Sequence, residues 1–448
     1  MNMFPTMACR RASRQGGLTL IELMVAMVLG LLVAAGIITV FLSTSNSNRA
    51  QNQMASLQEG GRFAVTRLKS DLSMANGQYC TNSGGNAHPS SGGPYIDGLR
   101  APTVYAAGGN MVNALSDLTT KASPYPDLSG MTGAYSLPAY LSMRGYDCTA
   151  DGCTPVDPHG TVAPIPAAGK AVDDRAVGTS VLTVRFLDPS RGWAIVPTGS
   201  ATGSTMAQQA DGSLQITLNP LTDEPPKTDF KDGDLAMLAD CSNAQIFAAS
   251  VTSGVVKSNG TGTASGQNFA QPRGPQGLAA PKLFDFNRDF LTVTYYVKVV
   301  DTGDGHTTGA LIRRVNGVDN ELVRGVERLD FKYGVLDANG NTRFLTAAQV
   351  DAGTSDDCPS KVTTPADTTD PGCLWRNVKS IEVDLLMDGQ VPLYTLTPEE
   401  LTYTYATDGD TTPTAPDDHT IKPSDQGFVN QMIRREFTAL ISVRNFNP

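Results

Sequence analysis

Apolar residues fill the chain from Leu18 to Leu42, interrupted only by Thr19, Glu22 and Thr39. Those 25 residues predict a helix of about 37 Å, enough to cross a hydrocarbon core of about 30 Å. Further on the pattern changes. Met54, Leu57, Gly61, Ala64/Val65, Leu68, Leu72 and Ala75 recur three or four apart, while Gln53, Gln58, Arg62, Arg67, Lys69 and Asp71 take the other faces. One apolar stripe at that spacing predicts an amphipathic helix. Joined, the two segments predict a single helix from Leu18 to Ala75, about 87 Å long if unbroken. Gly60-Gly61 sits inside it, and each glycine costs roughly 1 kcal/mol in a helix interior. Either the helix kinks there or it packs closely against the rest of the chain. Asn76-Gly77 closes it.

After the helix the period drops to two. Strands are expected at Val181–Leu187, Leu214–Leu218, Asp234–Leu238, Ala244–Val251, Leu291–Val300, Gly309–Val315, Leu329–Val335, Val378–Met387 and Glu436–Arg444. These runs are β-branched or aromatic and are bounded by Gly, Asp or Pro. Asp337-Ala-Asn-Gly340 reads as a hairpin turn, and Glu321–Arg328 as a short helix ahead of LDFKYGV. Asn82–Gly93, Ser253–Gln276 and Asp351–Gly372 read as loops. No linker splits this region and no repeat recurs in it. It is one β-rich domain.

Charge sets the orientation of the apolar segment. Arg10, Arg11 and Arg14 precede it and no acidic residue does, which predicts a cytoplasmic amino terminus and an exported carboxyl side. The chain has 34 Lys and Arg against 44 Asp and Glu. An acidic body argues against nucleic-acid binding. Cys9 lies ahead of the apolar run. Cys80, Cys148, Cys153, Cys241, Cys358 and Cys373 lie beyond it, an even number in what would be a disulfide-permissive compartment. There is no CxxC pair, and the four histidines are scattered in polar loops, so no metal site is expected.

Glu22 is the residue a plain membrane anchor does not explain. A carboxylate in a membrane helix costs about 2.5–3.5 kcal/mol on insertion scales. A cleaved secretory signal would need a shorter apolar region ending in a small-residue site, whereas Ala34-Ala35-Gly36 sits within apolar sequence. No apolar region precedes Cys9, which rules out a lipoprotein signal. The basic leader, Gly17, and then Leu18 followed by Thr19-Leu20-Ile21-Glu22 resemble the class III signal of type IV prepilins. That resemblance implies cleavage after Gly17 by prepilin peptidase and N-methylation of Leu18. It places Glu22 at the fifth mature position, where it would pair with the Leu18 amine of another subunit and set axial register. Phe is usual at the first mature position of the family; Leu18 is another apolar residue.

The body extends the resemblance. Leu57–Gly77 (LQEGGRFAVTRLKSDLSMANG), GDLAMLADCSNAQIFAAS, LVRGVERLDFKYGV, NVKSIEVDLLM and RREFTALISVRN are similar, in order, to blocks of PilW-type minor pilins. The group is also similar to the J-type pseudopilins of type II secretion, which are usually much shorter. The resemblance implies an α+β, pilin-like fold: a long amino-terminal helix packed on a large antiparallel β-rich domain. It divides the chain into a leader over 1–17, a membrane and filament-core segment over 18–42, an amphipathic second half over 43–76, and an exported domain over 77–448. It implies a minor pilin acting in type IV pilus assembly, at initiation or the filament tip. Its partners would be prepilin peptidase, other minor and major pilins, and the inner-membrane assembly platform. The location would be the inner membrane of a Gram-negative bacterium, then the pilus. A tip adhesin and a secretion pseudopilin are the alternatives.

Six cysteines allow 15 pairings. Cys148-Thr-Ala-Asp-Gly-Cys153 encloses turn sequence, so a Cys148–Cys153 bond is expected; Cys358 and Cys373 bracket a Pro/Thr/Asp loop that a bond would stiffen. Cys80 and Cys241 remain. The resemblance, with one cysteine just after the helix and one in the Ala-Asp-Cys-Ser block, agrees with pairing them.

Catalytic signatures are absent: no GxSxG, no HExxH, no P-loop. GTGTASG (Gly260–Gly266) lacks the GxGxxG spacing and reads as a flexible loop. The acidic stretches Asp301–Asp304 and Asp408–Asp418 do not match an EF-hand and read as solvated loops. Trp193 and Trp375 are expected to pack the sheet. No enzyme activity and no cofactor follow from the sequence.

Overall fold

A computed structural model describes residues 19–77, 79, 88–89, 95–96, 102–115, 123, 125, 127–131, 134–149, 151–159, 165–210, 212–240, 244–258, 281–336, 340–353, 372–393, 403–404, 420–421, 426–429 and 431–444. The chain divides into two compact units, Met1–Ala55 and Ser56–Pro448.

One helix, α1, runs unbroken over Leu20–Leu72. In the first unit its apolar side chains from Leu20 to Leu42 stand exposed, and the helix is long and apolar enough to cross a membrane by length and composition. Thr39 donates its hydroxyl to the Ala35 carbonyl at 2.6 Å, so this polar atom is satisfied within the helix. In the second unit Leu57, Ala64, Leu68 and Leu72 are buried, as the three-to-four spacing requires.

The diglycine is a place of close packing. A Cβ on Gly61 would overlap the ring of Phe437, and one on Gly60 would lie 3.1 Å from Val323 Cγ2 and 3.3 Å from Met387 Cε. The helix passes through both glycines without a break. Asn76 turns the chain out with φ 61°, and its N–H donates to the Arg185 carbonyl at 3.3 Å.

The sheets form in three stages along the chain. The first begins with β1 (Met143–Cys148), β2 (Cys153–Thr154) and β3 (Val181–Leu187). The chain then leaves this sheet and builds β4 (Trp193–Val196), β5 (Ser204–Gln208), β6 (Leu214–Thr217), β7 (Leu235–Ala239), β8 (Ala244–Thr252), β9 (Val255–Ser258) and β10 (Lys282–Asp285). Their pairings close a ring in the order β7-β10-β4-β5-β6-β9-β8, with β8 returning to β7. All are antiparallel except β4 with β5. This is a small closed barrel, an arrangement that leaves no free edge within the ring.

The chain returns with β11 (Phe290–Asp301), which pairs antiparallel with β3 and puts Phe290 opposite Leu187. β12 (Thr307–Val315) and β13 (Val318–Arg324) complete that sheet in the order β13-β12-β11-β3-β1-β2. The last sheet, in the order β15-β14-β16-β17, consists of β14 (Val326–Leu336), β15 (Thr342–Leu345), β16 (Val378–Asp388) and β17 (Arg434–Ser442). All its pairings are antiparallel. A long amino-terminal helix with a β-rich body makes the architecture α+β and pilin-like.

Among the described residues three apolar cores organise the second unit; the smallest gathers Tyr146, Cys148, Ile165, Val181, Tyr296 and Ile312, and two are larger. The larger of these two joins the α1 stripe to alternate residues of β11, β14 and β16, among them Tyr295, Phe331 and Val383, with Trp375 also inside it. The other fills the barrel: Trp193, Ile195, Ile216, Leu238, Phe247 and Leu283 point inward. β7 serves both of them. Ala236 and Leu238 face the barrel interior, while Leu235, Met237 and Ala239 join the larger core. That double duty explains why LAMLA is buried at every position.

Two expectations from the sequence are corrected. Glu321–Arg328 is not a helix: β13 ends at Arg324, Gly325 turns with φ 84°, and β14 begins at Val326. The Gly325 N–H donates to the Gly309 carbonyl at 2.8 Å, which ties the turn to β12. Ser253–Gln276 is not all loop, since Ser253-Gly254 is a tight turn and Val255–Ser258 is barrel strand β9. The remainder of that stretch, Gly260–Gly266, Asp408–Asp418, most of Asn82–Gly93 and of Asp351–Gly372, and Asp337–Asn339 of the expected turn lie outside the described residues. The strands flanking that turn do pair as a hairpin, with Leu336 opposite Thr342.

Candidate functional site

The amino-terminal end of α1 brings Thr19 and Glu22 together. Thr19 precedes the first helical residue and Glu22 follows three positions later. Glu22 N–H donates to Thr19 Oγ1 at 3.3 Å, and Thr19 N–H donates to Glu22 Oε2 at 3.1 Å. The Thr19 hydroxyl adds a third bond to Glu22 Oε2 at 3.1 Å. This is a reciprocal capping box, which satisfies two of the amide groups that every helix start leaves unpaired. The carboxylate also sits where the helix dipole favours negative charge. Part of the cost of Glu22 in an apolar segment is therefore met within its own helix. Gly17 and Leu18 lie outside the described residues.

The carboxyl-terminal part of α1 is held to the body by charge as well as packing. Asp71 Oδ2 accepts from Arg313 Nε and, at 2.6 Å, from the Tyr295 hydroxyl; Arg313 Nη2 donates to Oδ1 at 3.3 Å. Asp71 is buried. Burial, with Asp71 alongside, pushes the Tyr295 hydroxyl far above its ordinary pKa, so it stays a donor. β11 supplies Tyr295 and β12 supplies Arg313, so one carboxylate fastens the helix to two strands.

Of the cysteines, Cys148 and Cys153 are joined, at the end of the β1–β2 pairing. Cys373 is disulfide-bonded. Cys358, Cys80 and Cys241 lie outside the described residues. Among the described residues no three His, Cys, Asp or Glu side chains are grouped to hold a metal ion. Trp193 and Trp375 are both fully buried.

Two family profiles match the chain. Residues 12–38 match the prokaryotic N-terminal methylation motif, which covers the capping box and most of the apolar run. Residues 294–445 match type IV pilus-assembly protein W, a span running from within β11 to beyond the end of β17. Together the two matches support a PilW-type minor pilin, the second covering the carboxyl-terminal third of the chain. Comparison with curated proteins and with solved structures gave no match. As a minor pilin it is membrane-anchored through α1, is processed by prepilin peptidase, and associates with other pilins and the pilus machinery in type IV pilus assembly. The family is one of structural assembly subunits. The matched region carries strands that receive α1: most of β11 and all of β12, β14, β16 and β17 fall within it, whereas the whole barrel precedes it.

Sequence reasoning reached Glu22 through its cost in a membrane. It did not reach the Thr19 partner, although Thr-x-x-Glu before an apolar run is the capping-box signal. Nor did it reach the Asp71–Arg313–Tyr295 cluster, in which Asp71 lies more than 200 positions from both of its partners.

Proposed function

We propose that this minor pilin enters the growing filament by exchanging the partner of Glu22. The leader over 1–17 is removed after Gly17, and Leu18 becomes a methylated cationic amine. Residues 18–42 lie in the inner membrane before assembly and in the filament core after it, while 43–76 and 77–448 are exported. While the subunit waits, the capping box satisfies Glu22. On entry, the Leu18 amine of a neighbouring subunit takes up the carboxylate charge, which lowers the penalty of an unpaired ion in an apolar setting. The observation that carries this reading is the position of the carboxylate at the first turn of an exposed apolar helix, where its partner among the described residues is the uncharged Thr19. Acting at initiation or the tip of a filament from a Gram-negative envelope fits a subunit whose body exceeds the matched family region. The assembly platform and the major pilin are its expected partners.

The test separates charge from capping. Glu22→Gln keeps an oxygen that can accept from Thr19 but removes the charge. It should insert and be cut normally, as mass spectrometry of the mature terminus would read, yet appear in sheared pili at a tenth of the wild-type level or less. Normal incorporation of Glu22→Gln would overturn the exchange.

A second reading, an adhesive head, is favoured by one observation: the barrel over 193–285 has its own core and lies wholly outside the matched family region.

A further inference from the structure

The Cys148–Cys153 bond has an unusual neighbour. Arg175 Nη1 lies 3.2 Å from both sulfur atoms. The Arg175 side chain is completely buried; Nε donates to the Pro166 carbonyl at 3.4 Å and Nη2 to Asp157 Oδ1 at 3.3 Å. Asp157 is itself about half exposed, so its charge is shared with solvent. A buried cation needs a reason to be there. A neutral disulfide gives little to a guanidinium, whereas a thiolate gives a strong charge-assisted contact. The cation therefore favours the reduced pair over the oxidised one.

Access and consequence point the same way. Cys148 is buried and Cys153 is half-buried, so an incoming thiolate meets Cys153 first. The bond closes a loop of five positions. So short a loop constrains the unfolded chain less than a long one, so opening it costs the fold less than opening a long-range bond would.

We propose that Cys148–Cys153 is a site of thiol–disulfide exchange with a dithiol oxidoreductase of the thioredoxin type, and that Arg175 holds the Cys148 thiolate released in the first step. The partner's thiolate attacks Cys153 Sγ. The Cys148–Cys153 bond breaks, a mixed disulfide forms at Cys153, and the electron pair leaves on Cys148 Sγ beside Arg175 Nη1. The partner's second thiolate then attacks its own first sulfur and expels Cys153 as thiolate. The partner ends as a disulfide, having supplied two electrons, and both cysteines take protons from solvent as their pKa values dictate. The reverse sequence reoxidises the pair.

The full chain in detergent would be equilibrated in dithiothreitol buffers of graded ratio, quenched by alkylation and read by mass spectrometry of the separate cysteine peptides. The Cys148–Cys153 bond should open in less reducing buffer than the bond that holds Cys373. Arg175→Met should shift its midpoint about tenfold in equilibrium constant toward more reducing buffer, roughly 30 mV for a two-electron couple. Asp157→Asn, which removes the carboxylate competing for the guanidinium, should shift it the other way. A thioredoxin-type protein with its resolving cysteine replaced by serine should be trapped on Cys153. Midpoints that do not move, shifts of the same sign in both variants, or trapping on Cys148 would overturn the proposal. If Arg175→Met does not fold, Asp157→Asn decides alone: an unchanged or more reducing midpoint overturns it.

Discussion

The ring of Phe437 fills the space that a side chain at Gly61 would need. The helix interior favours alanine over glycine by roughly 1 kcal/mol, and overpacking costs about 1–3 kcal/mol. The second effect should win at Gly61. Gly61→Ala is expected to destabilise the body by about 1–2 kcal/mol in a denaturant titration. Gly60→Ala, whose neighbours at 3.1 and 3.3 Å need give way by only a few tenths of an ångström, should be near neutral. Phe437→Leu combined with Gly61→Ala should recover part of the loss, because the clash is with the ring.

Asp71 and Arg313 form a largely buried pair, with side chains 7% and 15% exposed. Removing one member strands the other. Arg313→Met should cost about 2–4 kcal/mol, below the figure for a fully buried pair because Arg313 reaches some solvent. Asp71→Asn keeps an acceptor for Tyr295 and should cost less. A double-mutant cycle between them reads the coupling directly, and independence of the two changes would show that the pair does not fasten α1 to the sheets.

The body should be more stable in mild acid than in mild base. Burial pushes the carboxyl of Asp147 up to about 7, although it accepts the Ala347 N–H at 2.6 Å. Burial, with Glu382, Asp330 and Glu436 nearby, pushes Asp384 up to about 7 as well; its Oδ2 has no hydrogen-bond partner among the described residues. Both lie above the ~3.9 of an exposed aspartate. Their contribution is thus fully present below about pH 4 and lost as pH rises through 7. Denaturant midpoints should fall between pH 5 and 8, and Asp147→Asn should flatten that slope.

Thr19→Ala removes the hydroxyl side of the capping box and leaves Glu22 charged. It should speed hydrogen exchange at the first amides of α1 and cost about 1 kcal/mol of helix stability. Pilus incorporation should fall far less than in Glu22→Gln. Equal losses in the two variants would assign Glu22 to capping alone.

Deleting 259–276 spares β9 and the Ser253-Gly254 turn, which a deletion from Ser253 would destroy. The shortened chain should keep its circular dichroism and support piliation. Loss of surface adhesion with normal piliation would favour the adhesive reading of the barrel.

The parts of the fold that depend on near neighbours were legible in the sequence. The α1 stripe, the apolar run and most long strands follow from periodicity. Gly325 shows the limit: LVRGVERL carries apolar residues at helical spacing, but a left-handed turn hydrogen-bonded to Gly309 makes it two strands. The barrel was invisible because its closure joins strands far apart in order, as β10 does with both β7 and β4. At the candidate site Glu22 announced itself by being charged among apolar residues. Asp71 did not, since an aspartate on an amphipathic helix reads as a solvated face until β11 and β12 are brought over it.

Leu187 and Phe290 stand opposite one another in the same sheet, with the entire barrel between them in sequence. A chain that departs and re-enters at facing residues can be spliced there. Descendants could trade this head for another of different size, provided that its replacement still covers the apolar ground now sealed by Leu235, Met237 and Ala239. The helix, its anchoring carboxylate and the strands beneath it would be inherited unchanged, while the barrel is free to diverge wherever it does not pair with Thr103–Tyr105, which lines up beside β8.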